Sequence, residues 1–125
     1  MSADVVVLAK DFEMGTRIAD AISAQGKKID FPENAAGLDG VLSEETRLMI
    51  IDLEEESYHP LDLVKRVRNR FPQLSVVGFH SQVRKDSYMQ ARKAGCSWVF
   101  SRSSLVKNLR TLLAEGHKEN GGDDG

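Results

Sequence analysis

The chain has 125 residues, of which 41% are hydrophobic and 29% charged, with a formal net charge of -2. That length suits one domain able to bury roughly two thirds of its unfolded surface, and the ordinary composition excludes collagen-like, wholly disordered and disulfide-scaffold classes. The slightly negative balance argues against a dedicated nucleic-acid binder, whose affinity comes mainly from neutralising phosphates.

The first element in the chain is the run Val5-Val6-Val7-Leu8. It is continuously apolar and β-branched, as expected of a parallel strand covered on both faces. Asp11 follows as an N-cap, and Met14, Ile18, Ala21 and Ile22 recur at helical spacing until Gly26. Lys28-Ile29-Asp30-Phe31 alternates and stops at Pro32, which predicts an edge strand. Asn34 caps a weak second helix through Leu38, Val41 and Leu42, interrupted by Gly37 and Gly40. Leu48-Met49-Ile50-Ile51 is the next buried strand. Pro60 opens a third helix, with Leu63, Val64, Val67 and Phe71 on one face and a stop before Pro72.

Leu74-Ser75-Val76-Val77 predicts the fourth strand. Asp86 or Ser87 caps a fourth helix through Met89, Ala91 and Ala94, closed by Gly95. Trp98-Val99-Phe100 is the fifth strand. Ser103 or Ser104 caps a fifth helix, with Leu105, Leu109, Leu112 and Leu113 as its inner stripe. Strand and helix thus alternate five times. This predicts a single doubly wound five-stranded parallel sheet with five helices, an α/β fold with right-handed crossovers. The domain is expected over residues 1–116, and residues 117–125, which lack any apolar side chain, are expected to be disordered.

Cys96 is alone, so an intrachain disulfide and a cysteine-based metal cluster are both excluded. Its place after Gly95 suits a small buried hydrophobe. His59, His80 and His117 show no metal-ligand spacing. The N-terminus lacks a basic segment, and no apolar stretch reaches the roughly 20 residues needed to cross a bilayer. A cytoplasmic protein without membrane contact is expected. No G-x-S-x-G, P-loop or G-x-G-x-x-G motif occurs. The basic run Lys65, Arg66, Arg68 and Arg70 is read as a solvated helix face.

Ligands of open α/β sheets gather at the carboxyl ends of the strands. The residues delivered there are Ala9, Lys10 and Asp11 from strand 1, and Asp52 with Glu54, Glu55 and Glu56 from strand 3. Strand 4 brings Phe79, His80 and Ser81, and strand 5 brings Ser101 and Arg102. With "LMIIDL" around Asp52 and "ARKAGCSWVF" entering strand 5, the chain resembles the receiver domains of bacterial two-component response regulators. The resemblance spans residues 4 to about 115 and implies a flavodoxin-like receiver topology.

The resemblance puts Asp52 at the phosphoacceptor position, with Lys10, His80, Ser81 and Arg102 as neighbours of the phosphate site. The departures from the family pattern are specific. Ala9 and Lys10 stand where receivers carry the acidic pair that holds Mg2+, and Asp11 is the nearest acid. His80 replaces a hydroxyl residue, Arg102-Ser103 replaces Lys-Pro, and Val99 replaces the aromatic switch residue. Phosphoryl transfer to a carboxylate brings two anions together, and a divalent cation normally neutralises the developing charge. A site with one remaining carboxylate beside an ammonium holds Mg2+ poorly.

The reading that follows is an atypical receiver-like signalling module acting through protein–protein interaction, with no enzymatic role and no cofactor. Lys10 or Arg102 is expected to pair with Asp52 and lock the strand-end loops in one state. The partner is a histidine kinase or a downstream signalling protein, or a second copy in a homodimer. Its interaction face is expected to include Tyr88, Trp98, Val99, Val106 and Leu113. The alternative is a phosphorylatable receiver in which Asp11 and Glu54 act as substitute Mg2+ ligands beside Asp52. A third reading, a small-ligand or nucleotide binder at the same crevice, lacks the glycines that cradle phosphate.

Overall fold

The computed structural model describes residues 3–114. The expected tail 117–125 and His117 lie outside the described residues. The elements are β1 (Val5–Leu8), α1 (Phe12–Ala24), β2 (Ile29–Asp30), α2 (Ala35–Leu38) and β3 (Leu48–Asp52), then α3 (Pro60–Arg70), β4 (Ser75–His80), α4 (Lys85–Ala94), β5 (Trp98–Ser101) and α5 (Arg102–Ala114). All strand pairings are parallel, in the order β2-β1-β3-β4-β5. This is the doubly wound sheet expected from the alternation of strands and helices. No helix among the described residues is long and apolar enough to cross a membrane.

The central strands β1, β3 and β4 are buried at every position. Their alternate residues feed two cores. Val6, Leu8, Met49, Ile51 and Val76 pack with α2, α3 and α4, while Val5, Val7, Ile50, Val77 and Phe79 pack with α1 and α5. Covering both faces of a sheet with helices is why these strands read as unbroken apolar runs.

Several element ends differ from the sequence reading, each for a local reason. β4 runs to His80, beyond Val77, because Gly78, Phe79 and His80 keep their pairing with the ends of β3 and β5, and Gly78 leaves room for the Leu53 side chain. α2 stops at Leu38, short of Leu42, while Asn34 caps it by accepting from the Gly37 N–H at 2.9 Å. α4 starts at Lys85 after Arg84, without a side-chain cap from Asp86 or Ser87. At α5, Ser101 replaces Ser103 and Ser104 as the capping hydroxyl, accepting from the Ser104 N–H at 3.3 Å. Asp11 caps α1 as expected, and Pro60 occupies the first turn of α3.

Arg68 departs from the expected solvated face. Its guanidinium reaches the turn before β5, donating to Gly95 O at 2.8 Å and Ser97 Oγ at 3.2 Å, and to Leu74 O at 2.6 Å. It also donates to Pro72 O at 2.9 Å. Arg68 thereby ties the end of α3 to the loops that precede β4 and β5.

Candidate functional site at the carboxyl edge of the sheet

Asp52 closes β3 and is 6% exposed. Its Oδ1 accepts from the Glu54 N–H at 2.9 Å, an Asx turn that aims the carboxylate along the strand end. Burial pushes the Asp52 carboxyl above its usual range. The Glu54 N–H bond and the charge of Arg102 pull the other way less strongly.

The two cations expected to pair with Asp52 go elsewhere. Arg102 forms an ion pair with Asp11 across the edge of the sheet, and its guanidinium lies 5.8 Å from the Phe79 ring centroid. Lys10 Nζ donates to Ser57 Oγ at 3.0 Å and sits 3.9 Å from Glu55 Oε2. Among the described residues, no Lys or Arg nitrogen lies within 4.0 Å of the Asp52 carboxylate. The expected Asp52 pairing is therefore corrected. Each cation has a nearer acid, Asp11 on the loop after β1 and Glu55 on the loop after β3, and needs no desolvation to reach it.

The pairing at Asp11 changes its chemistry. The Arg102 hydrogen bond holds the Asp11 carboxyl below its usual range, and its other oxygen accepts from the Glu13 N–H at 3.1 Å. Glu54 is equally engaged. Its Oε1 accepts from the Ser81 N–H at 3.0 Å and its Oε2 from Ser81 Oγ at 3.1 Å, with His80 Nδ1 3.9 Å from Oε2. The bonds from Ser81 hold Glu54 ionised below its usual range. Glu54 thus clasps the loop after β3 to the loop after β4.

A divalent cation such as Mg2+ asks for several free oxygen ligands around one point. Asp11 is held by Arg102 and Glu54 by Ser81, and no group of three or more His, Cys, Asp or Glu among the described residues is placed to hold a metal. The residues present do not fit a Mg2+ site, and the expectation for Asp11 and Glu54 as substitute ligands is corrected on that ground.

The residues expected on the interaction face divide by burial. Tyr88 is 37% exposed on α4, beside Met89. Trp98, Val99 and Val106 are half-buried, and the Trp98 ring lies parallel to Phe100 with centroids 6.1 Å apart. Leu113 is buried in the core between α5 and the sheet, so it has no surface to offer. Cys96 is buried as expected, and burial pushes its thiol up to about 12.

Comparison with solved structures decides the fold. The chain superposes on a response regulator from Thermotoga maritima with a TM-score of 0.77 and 22% identity, covering 94% of this chain and 98% of the other. It superposes on the signal receiver domain of the response regulator NarL from Mycobacterium tuberculosis with a TM-score of 0.78 and 14% identity, over 95% and 98% of the two chains. An atypical orphan response regulator, described as using a phosphorylation-independent regulatory mechanism, matches at a TM-score of 0.75 and 14% identity, again over 95% and 98%.

The fold is that of response regulator receiver domains. No protein-family profile and no curated protein sequence matches the chain. On this receiver fold the carboxyl edge of the sheet gathers Asp11, Asp52, Glu54, Ser81 and Arg102, while Lys10 is drawn aside to Ser57. Three features of the chain escaped sequence reasoning: the Glu54–Ser81 clasp, the Arg68 clamp and the contact of Leu53 with Gly78. The first and last bring together residues 27 and 25 positions apart. Only the glycine inside a buried strand gave any local sign.

Proposed function

We propose that this chain is an atypical receiver-like signalling module that works through protein–protein contact, independently of Mg2+-assisted phosphorylation at Asp52. The carrying observation is the Asp11–Arg102 ion pair. It places a fixed guanidinium beside the acid nearest to the receiver metal position, and so replaces an exchangeable cation by a permanent one. The structural neighbour with a phosphorylation-independent mechanism supports the reading as a precedent on the same fold. In this reading residues 1–116 are a cytoplasmic receiver-like domain. Its partner, a histidine kinase, a downstream signalling protein or a second copy, meets Tyr88 and the partly exposed edges of Trp98, Val99 and Val106.

One observation favours the second reading, a phosphorylatable receiver. Asp52 sits at the end of β3 with no lysine or arginine among the described residues bonded to it. An amide-resolved NMR titration with Mg2+, then with Mg2+ and beryllofluoride as an aspartyl-phosphate mimic, separates the two. The proposed function expects no specific shifts at about 10 mM metal, a concentration at which sites of roughly millimolar affinity fill. Shifts centred on Asp52, Ser81 and Arg102 that spread into α5 establish the phosphorylation switch instead.

A further inference from the structure

α4 packs onto the fold through two small side chains, Ala91 and Ala94, which are its only buried residues. Its two large apolar side chains face solvent instead, with Tyr88 37% exposed and Met89 56%. Together with Arg92 and Lys93 they line an open groove of about 540 Å³ on the outside of the helix. A helix that only covers a sheet turns its large apolar residues inward. One that gathers them in an outer groove is shaped for contact with another molecule.

Charge selects the kind of molecule. Lys85, Met89, Arg92 and Lys93 recur at i, i+4, i+7 and i+8 and so share one stripe of the helix. Arg84 lies one turn before Tyr88. Among the described residues, no carboxylate oxygen lies within 4.0 Å of any of these four cations. Arg92 donates to the Cys96 and Ser97 carbonyls, which hold its guanidinium in place without neutralising it. The one acid of the helix, Asp86, sits in the first turn, against the positive end of the helix dipole.

Residues 84–93 thus carry four cations against one acid, in a chain whose net charge is -2. An apolar centre flanked by such cations complements a segment that is itself apolar in the middle and acidic around it. The negative charge of the whole chain disfavours a polyphosphate partner.

We infer that the outer face of α4 docks an acidic amphipathic segment of a partner protein. Its apolar side chains cover Met89 and Tyr88, and its carboxylates meet Lys85, Arg92 and Lys93. This names the chemistry of the partner in the protein–protein reading above and rests on that reading.

The test titrates the full isotope-labelled chain with a helical peptide of glutamate, alanine and leucine that carries its leucines along one face. Two controls are the same peptide with lysine for each glutamate, and polyglutamate of equal length. Oligothymidylate is the nucleic-acid probe. The acidic peptide is expected to give saturable amide shifts at Lys85, Tyr88, Met89 and Lys93, with a dissociation constant on the order of 100 μM. Both controls are expected to bind at least about tenfold more weakly. Met89→Gln and Lys93→Glu, surface changes that leave Ala91 and Ala94 in the core, should each weaken the acidic peptide about fivefold. Lys93→Glu should also strengthen the lysine peptide.

Any of four results overturns the docking face: a control peptide that binds as well as the acidic one, shifts centred outside α4, unchanged affinity in both variants, or tighter binding of oligothymidylate. The Mg2+ and beryllofluoride titration on the same sample judges the underlying reading separately. A beryllofluoride response beside selective peptide binding overturns phosphorylation independence and leaves the docking face in place. No response beside unselective binding overturns the docking face alone.

Discussion

The carboxylate of Asp11 and the guanidinium of Arg102 are joined across the mouth of the sheet, linking the loop after β1 to the first turn of α5. They are 91 residues apart in the chain. The same Asp11 caps α1, so one side chain fixes both helices that cover that face.

Replacing Arg102 by alanine should therefore move two carboxyls upward. Asp11 loses the hydrogen bond that lowers it, and Asp52 loses an opposing charge that now partly offsets burial. A group whose folded pKa is depressed stabilises the fold above its unfolded value and loses that contribution as the pH falls through the folded one. The Arg102→Ala variant should accordingly show a flatter stability profile on the acid side of the usual aspartate value of 3.8. Carboxyl-detected NMR titration reads both groups, and an unmoved Asp11 would refute the pairing.

Asp52 has the opposite linkage. Its folded pKa is raised, so the proton binds more tightly in the folded state, and ionisation costs stability as the pH rises through that value. Asp52→Asn removes the cost while keeping an oxygen to accept from the Glu54 N–H. The variant should be more resistant to urea than the parent at pH 7, with the gain shrinking towards pH 3 as the parent's carboxyl becomes protonated. Equal urea midpoints at both pH values would show that Asp52 carries no burial penalty.

Much of this architecture can be read from local pattern. Val5–Leu8 and Leu48–Ile51 declare buried parallel strands because both faces are covered, and Pro60 and Asp11 mark helix starts by their own backbone chemistry. β4 was harder to delimit, since Gly78 breaks its apolar run for a reason that resides in Leu53, on another strand end. The site is legible to a similar depth. Chain order places Asp11, Asp52, Glu54 and Arg102 at one edge, but which acid each cation takes depends on side-chain direction. Arg102 takes Asp11 and Lys10 takes Glu55, and neither choice follows from spacing.

Arg68 illustrates the same limit in a charged run. Five guanidinium hydrogen bonds end on backbone carbonyls or the Ser97 hydroxyl in the turns before β4 and β5. Arg68→Met keeps much of the side-chain stem but leaves these acceptors to water or unpaired. The expected loss is about 2–3 kcal/mol in urea unfolding, with two or more hydrogen bonds involving a charged group removed. The neighbouring Arg66→Met, on an exposed position, should change stability by less than about 0.5 kcal/mol. Equal effects of the two would return Arg68 to the solvated face.

The contact of Leu53 with Gly78 makes a prediction that reaches the site itself. A Cβ added at Gly78 would lie 2.8 Å from Leu53 Cγ, too close for any side chain to tolerate without movement. Leu53 follows Asp52 directly, so whatever part of the contact its side chain does not relieve by turning is passed to the loop that carries Glu54 and its clasp on Ser81. Gly78→Ala should destabilise the fold by roughly 1–3 kcal/mol through overpacking. Adding Leu53→Ala should recover part of that loss, because the second change vacates the space the first one needs, even though Leu53→Ala alone is destabilising. Urea unfolding of the two single variants and the double variant closes the cycle. Strict additivity would mean that Leu53 is not what keeps position 78 free of a side chain.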